Sequence, residues 1–425
     1  MQGNPTDRFF QHENGDPAEA GFFWTGGPVE VAERTWFASV FSGATAFETD
    51  EGIVLVDTGT KYFGPQIAAR IRQRTDEPVT HVIYTHGHVD HAYGTAHWLR
   101  DGQGPPEVYA HEAMADRFGR YARTPRHNSM INMRQFGGTG IGADPEADQA
   151  LDTFEAPSHP PTVTYGQPTE LAVGGLTFEL HPARGETDDA TWVFCPQRGV
   201  LCTGDLISWA LPNGGNPQKA QRYPWDWAEA LREMAACRPR SLAPGHGGPV
   251  VDDADLVQRI LVTTAEVLER LTEQTIAALE DGSPPHVDLV HAVDVTLPDL
   301  PWLVPMYDDP EFLVRNIIRW FGGWWTGRPS ELKPAPRHDV AVEVVGLAGG
   351  VTAVLERMAV LVEDGHLGLA RHLADWALEA EPAHRAVQAA VASLYDDSAD
   401  TEPSLMATNL FRSAAAYARA GRPFA

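Results

Sequence analysis

Between Thr85 and Gly94 the chain reads THGHVDHAYG, three histidines and an aspartate within six residues. Imidazole and carboxylate groups are costly to bury unless they are paired or bound to a metal. The run directly follows VTHVIYT, an apolar segment with the composition of a buried strand, so the fold must deliver these groups at a strand end. Residues two apart in an extended loop point the same way. His86 and His88 can therefore bind one ion, while Asp90 and His91 turn towards a second.

The surrounding pattern supplies strands and helices in alternation. TWFASVFSGATAFETDEGIVLVDTGT alternates apolar positions and turns at Asp50-Glu51-Gly52. YFGPQIAARIRQRT has helical spacing, LAVGGLTFELHP reads as a hairpin about Gly174-Gly175, and TWVFCPQRGVLCTGDLI as a second hairpin about Gln197-Arg198-Gly199. WDWAEALREMAAC is a helix and SLAPGHGG a short strand and loop. Such alternation implies an α/β layered domain. After about residue 253 the pattern becomes helical, from DLVQRILVTTAEVLERLTEQTIAALEDG through a Pro-rich connector to four amphipathic segments ending at AHRAVQAAVASLYDD. We therefore expect a metal domain over residues 1–280, a connector over 281–304 and a helical domain over 305–425. Trp320, Trp324 and Trp325 read as core, or as a dimer interface, where aromatics concentrate.

At 425 residues, two domains are expected. No apolar run approaches the roughly 18 residues of a membrane helix. The first residues lack the basic and apolar regions of a secretory signal. Cys195, Cys202 and Cys237 form no disulfide framework, so a cytoplasmic location is expected. A net charge of −26 argues against nucleic acid and anionic membranes as partners. One stretch runs the other way, with Arg117, Arg120, Arg123, Arg126 and Arg134 against the single acid Asp116. It reads as a helix face paired with the acids of residues 144–152, or as a basic patch that docks an anionic substrate.

Taken in order, LVDTGT with Asp57, THGHVDH, TGDL with Asp205 and PGHG with His246 resemble the metallo-β-lactamase superfamily over residues 57–246. The resemblance implies an αββα sandwich with two metals in a cleft between the sheets. It implies His86, His88, Asp90, His91 and His246 as ligands, Asp205 as a bridging, catalytic carboxylate, and Asp57 orienting a ligand histidine. At the third motif HPARGETDDA places Glu186 where a histidine is usual, with His181 as the rival. Glu186 is favoured, as a ligand and with Asp205 as a catalytic carboxylate, because it follows the turn at Gly185, whereas His181 continues the strand.

Residues 305–425, with VRNIIRWFGGWWTGRPSELKP and LAGGVTAVLERM, resemble the alkylsulfatase dimerisation domain, which implies a homodimer. Two branches of the superfamily share the glutamate. One is the alkylsulfatases, which use zinc. The other is the nonheme diiron oxygenases, including the β-hydroxylase of chloramphenicol biosynthesis and the diterpenoid monooxygenase of the platensimycin pathway. The text around Asp205 departs from the sulfatase pattern, so the expected activity is a diiron monooxygenase. It would use two irons, O2 and an external electron donor to hydroxylate a bulky apolar, terpenoid-like molecule with an anionic handle, a coenzyme A thioester being one candidate. The alternative is a dizinc hydrolase of an alkyl sulfate, ester or thioester. Arg120, Arg123, Asn128, Arg134, Asn213, Lys219 and Tyr307 are the candidate substrate contacts.

Overall fold

The computed structural model describes residues 21–138, 154, 156–282 and 287–424. Two sheets organise the first part of the chain. The first contains β1 (Gly26–Ala32), β2 (Thr35–Ser39), β3 (Gly43–Thr49), β4 (Gly52–Val56), β5 (Val79–Ile83), β6 (Glu107–His111) and β7 (Val163–Tyr165), side by side in that order. The second runs β12 (Ser241–Pro244), β11 (Val200–Gly204), β10 (Ala190–Cys195), β9 (Leu176–Ala183), β8 (Thr169–Val173). Strands β1 to β4 pair antiparallel and β4 to β7 parallel; in the second sheet only β11 and β12 are parallel.

The segment GIVLV shows why the layers form. All five residues of β4 are buried, and successive side chains face opposite ways. Val54 and Val56 point between the sheets, where they meet Phe47, Phe178, Leu180, Val193 and Cys202. Ile53 and Leu55 point outward, against Ile67 and Ile71 of the helix Gly64–Ile71 and Met114 and Phe118 of the helix Met114–Arg123. Each such buried side chain contributes about 1.5–3 kcal/mol relative to exposure. Helices Pro224–Ala236 and Ala254–Glu280 pack beside the second sheet, with Trp227, Leu231, Ile260 and Leu268 buried. The result is the expected helix–sheet–sheet–helix sandwich. The hairpin between β8 and β9 turns on Gly174 and Gly175, whose φ values of 50° and 84° lie in the left-handed region of a two-residue hairpin turn.

The helical part holds helices Arg337–Leu347, Val351–Glu363, Leu367–Ala380, Arg385–Thr401 and Leu405–Arg419. Its core is built of Val354, Met358, Leu361, Ala374, Val391, Leu394 and Ala415. The last helix is capped by Ser404, whose side chain accepts from the Ala407 amide.

The compact units differ from the limits read in the sequence. One contains Met1–Pro125, Leu151–Ser283 and Asp288–Phe321; the other contains Arg126–Ala150, Pro284–Val287 and Gly322–Ala425. Helix Pro310–Gly322 buries Leu313, Val314, Ile317 and Ile318, and its Asn316 side-chain amide donates to the Arg222 carbonyl, which ties it to the sandwich. Trp320, Trp324 and Trp325 are not core: they are 44%, 71% and 37% exposed. Among the described residues no single helix is long and apolar enough to cross a membrane.

Candidate metal centre

The site side chains leave the sandwich at strand ends. Asp57 follows β4, His86 and His88 follow β5, Asp205 follows β11, His246 follows β12, and Glu186 sits on the connection from β9 to β10. Parallel pairing of β4 with β5 and of β11 with β12 brings those C-terminal ends to one edge. Two groups form there, His86 with His88, Glu186 and Asp205, and Asp90 with His91 and His246; in each, the donor atoms lie within 4.8 Å of one another. Asp205, of the first group, also faces the second. Its Oδ2 is 3.6 Å from His86 Nε2 and 4.0 Å from His88 Nδ1, while its Oδ1 is 3.1 Å from His91 Nε2 and 3.4 Å from His246 Nε2. Asp90 Oδ2 lies 3.6 Å from His91 Nε2 and 3.5 Å from His246 Nε2.

Hydrogen bonds behind the imidazoles fix which nitrogen faces inward. His91 Nδ1 lies 2.8 Å from Asp57 Oδ2, which leaves Nε2 towards Asp205. His246 Nδ1 lies 2.8 Å from the Phe41 carbonyl, with the same consequence. Asp57 also accepts from the Thr85 amide and hydroxyl, at 2.8 and 2.7 Å. Its backbone has φ 59°, a left-handed conformation rare outside glycine, asparagine and aspartate.

Electrostatics divide the carboxylates. Burial pushes both Glu186 and Asp205 upward, but the imidazoles of His91, His246 and His86 pull Asp205 well below the usual range. Glu186 stays raised, since Arg222 opposes burial while Asp205 adds to it. Burial works against a charged His91, and the carboxylates of Asp205, Asp90 and Asp57 outweigh it. His86 and His88 are held well below the imidazole range, first by burial and then by neighbouring cations.

The donor set suits a pair of first-row divalent metals, zinc and iron included. At its centre the buried His91 Nε2 and Asp205 Oδ1 meet at 3.1 Å without good hydrogen-bond alignment, an arrangement that a cation beside both would satisfy. His181 stays out of the group. It stacks on Trp192 with ring centroids 3.8 Å apart and lies 3.5 Å from Glu179.

The candidate substrate contacts fare unevenly. The Asn213 side-chain amide donates to Glu186 Oε1, and Lys219 is half-buried beside it, its ammonium lowered to about 7 by burial, with Arg222 adding. Tyr307 stacks on Phe22 at 5.0 Å, and Phe22 stacks on His246 at 4.7 Å. Phe41 meets His246 edge-on, so aromatic rings wall this end of the site. The five arginines form no single patch. Arg117 is buried against Asp188 and Asp189, and Arg134 is buried against Tyr417 and Phe424 of the helical unit, as Asn128 is buried on its own helix there. Arg120 and Arg123 are exposed. The acids of residues 144–152 lie outside the described residues.

Sequence reasoning missed Arg222. Its Nη1 donates to the Glu186 carbonyl at 2.6 Å and lies 2.8 Å from Glu186 Oε1. The available signal was a basic residue closing LPNGGNPQKAQR, a stretch with no acid to neutralise it.

Residues 40–246 match the metallo-beta-lactamase superfamily model, and residues 291–421 match that of the alkyl sulfatase dimerisation domain. A linear primary-alkylsulfatase of a Pseudomonas species is 26% identical over 72% of this chain and 61% of its own length. An (R)-specific secondary-alkylsulfatase, also of Pseudomonas, is 25% identical over 89% of this chain and 60% of its own. The alkyl/aryl-sulfatase BDS1 of Saccharomyces cerevisiae is 22% identical over 74% of this chain and 52% of its own. The chain thus spans between 52% and 61% of the length of these relatives. In structure it superposes on the stereoselective inverting sec-alkylsulfatase Pisa1 of Pseudomonas with a TM-score of 0.77, covering 93% of this chain and 66% of that one at 23% identity.

These relatives overturn the expected diiron monooxygenase and its terpenoid chemistry, since they are named alkylsulfatases, and they lend no support to O2 or an electron donor. The expectation failed for a physical reason. It rested on the text around Asp205, and residues that flank a ligand do not alter the donors that Asp205 and its neighbours offer a metal.

Proposed function

We propose that this chain, a metallo-β-lactamase fold followed by an alkylsulfatase dimerisation domain, is a dinuclear metal hydrolase of alkyl sulfate esters. The observation that carries the reading is the division of Asp205, one oxygen towards each group of donors, with a guanidinium beside them. On this reading His86, His88 and Glu186 would hold one metal and Asp90, His91 and His246 the other, with Asp205, whose two oxygens face the two groups, able to serve both. When bound, the metals supply Lewis-acid charge and acidify water so that it attacks at neutral pH.

The protein's own groups do the rest. Asp57 holds the His91 proton on Nδ1 and keeps Nε2 open. Arg222 sets positive charge beside Glu186, where a sulfate monoester places its negative oxygens, and Lys219 adds to it as pH falls below about 7. In a chain of net charge −26, such a local cationic corner is what makes docking of an anion favourable. Phe22, Phe41 and Tyr307 offer an apolar wall to the alkyl chain. The match to a dimerisation domain supports a homodimer.

The test is sulfate release from a linear primary and a secondary alkyl sulfate by the zinc-loaded protein and by Asp205→Asn. Release that needs metal and is lost in the variant is expected. Two bound metals with cleavage of a carboxylic ester or thioester, and no sulfate released from either substrate, would overturn the assignment.

A further inference from the structure

We infer that Arg117 and Asp189 are positioning residues that clamp the loop carrying His86 and His88 to the loop carrying Glu186. The inference rests on the metal-binding reading above and concerns one of its two positions.

Asp189 is fully buried, three residues after Glu186. Its Oδ2 accepts the Gly87 amide at 3.0 Å, and Gly87 is the residue between His86 and His88. The same oxygen lies 2.8 Å from Arg117 Nε, and the far end of that guanidinium bonds Asp188. A guanidinium is tolerated at such depth only with carboxylates around it. Here both carboxylates come from the Glu186 loop, while the arginine comes from helix Met114–Arg123. The packing at the junction leaves no slack: a Cβ on Gly87 would sit 2.8 Å from both Arg117 Cδ and Asp189 Oδ2. A second bond closes the same seam, from the Thr191 amide to the Thr85 carbonyl at 2.7 Å.

The other position has its own supports. His91 and Asp90 are held by Asp57, by Thr58, whose amide and hydroxyl donate to the His91 carbonyl, and by Ser42, whose hydroxyl donates to the Asp90 carbonyl. None of these touches Arg117 or Asp189 in the bonds described. Loosening the clamp should therefore release His86, His88 and Glu186 from register and spare Asp90, His91 and His246.

The experiment is zinc stoichiometry and affinity of the full chain, by chelator competition, with kcat and KM on an alkyl sulfate and thermal unfolding of the metal-free form. Wild type should hold two zincs. Asp189→Ala should hold one tightly, with the second weakened 10–100-fold, as for other groups that orient ligands. Asp189→Asn keeps an acceptor for Gly87 and should recover part of the lost affinity; it decides the matter if the alanine variant does not fold. Two zincs at wild-type affinity in a folded Asp189→Ala, or equal weakening of both, overturns the inference. A wild type that binds fewer than two zincs, or binding unmoved by His86→Ala and His246→Ala, overturns the metal reading itself.

Discussion

Asp57→Asn tests how the site chooses the metal-facing nitrogen of His91. The exchange adds no backbone strain, because asparagine enters the left-handed region at φ 59° as readily as aspartate. What changes is hydrogen bonding. The carboxylate accepts from Thr85 N, Thr85 Oγ1 and His91 Nδ1, at 2.8, 2.7 and 2.8 Å. An amide has one oxygen for them. If that oxygen faces the Thr85 amide, the NH2 faces His91 Nδ1. The imidazole then moves its proton to Nε2, the nitrogen 3.1 Å from Asp205, and has no lone pair there for a cation. If the amide flips, its NH2 opposes the Thr85 N–H, and an unpaired buried donor costs about 1–3 kcal/mol. Either arrangement takes roughly 1.4–2.7 kcal/mol from metal binding, a 10–100-fold loss. Zinc titration against a chromophoric chelator measures it. The loss should fall on the position of Asp90, His91 and His246. Unchanged affinity at both positions, or selective loss at the Glu186 position, would refute the reasoning.

Arg222→Met should raise KM for an alkyl sulfate by about 10–100-fold, the range for one hydrogen bond to a charged group. It should also weaken inhibition by inorganic sulfate; kinetics unchanged in both respects would mean that the guanidinium serves only Glu186. Burial holds the Asp308 carboxyl up to about 7, against bonds from the Gly215 and Asp309 amides that pull it down. The folded state then binds the proton more tightly than the unfolded one. The stability this gives is full below the ordinary carboxylate range and is lost as pH rises through about 7. A rise from 3.8 to about 7 corresponds to a total on the order of 4 kcal/mol. Asp308→Asn should flatten Tm against pH between about 4 and 8, and parallel curves for the two proteins would reject the assignment.

The sandwich was legible because its signals are local. The alternation in GIVLV, the paired glycines at 174 and 175 and the His-rich loop after β5 each state a backbone requirement within a few residues. The placement of the rivals follows from backbone too: Glu186, on a loop, stands with His86, His88 and Asp205, while His181, on β9, stacks on Trp192. The arginine stretch was illegible because the chain is divided at Pro125. Arg117 turns into the sandwich and Arg134 into the helical unit, and a count of charges along the sequence cannot see that division. Helical periodicity likewise placed Trp320, Trp324 and Trp325 on helices or their ends without stating what covers them. The chemistry was misjudged where the text beside one ligand, Asp205, was asked to choose between hydrolysis and oxygenation.

On the metal reading, the split carboxylate of Asp205 would link the two metal positions thermodynamically. A cation that fixes one oxygen also restrains the torsion that aims the other, so filling either position pre-organises its neighbour. Such coupling is reciprocal. On the metal reading, half-loaded molecules should then be scarcer than independent sites would give, wherever this gain exceeds the repulsion between the two cations. Metal supply would act on the population as a threshold, dividing it into empty and complete centres.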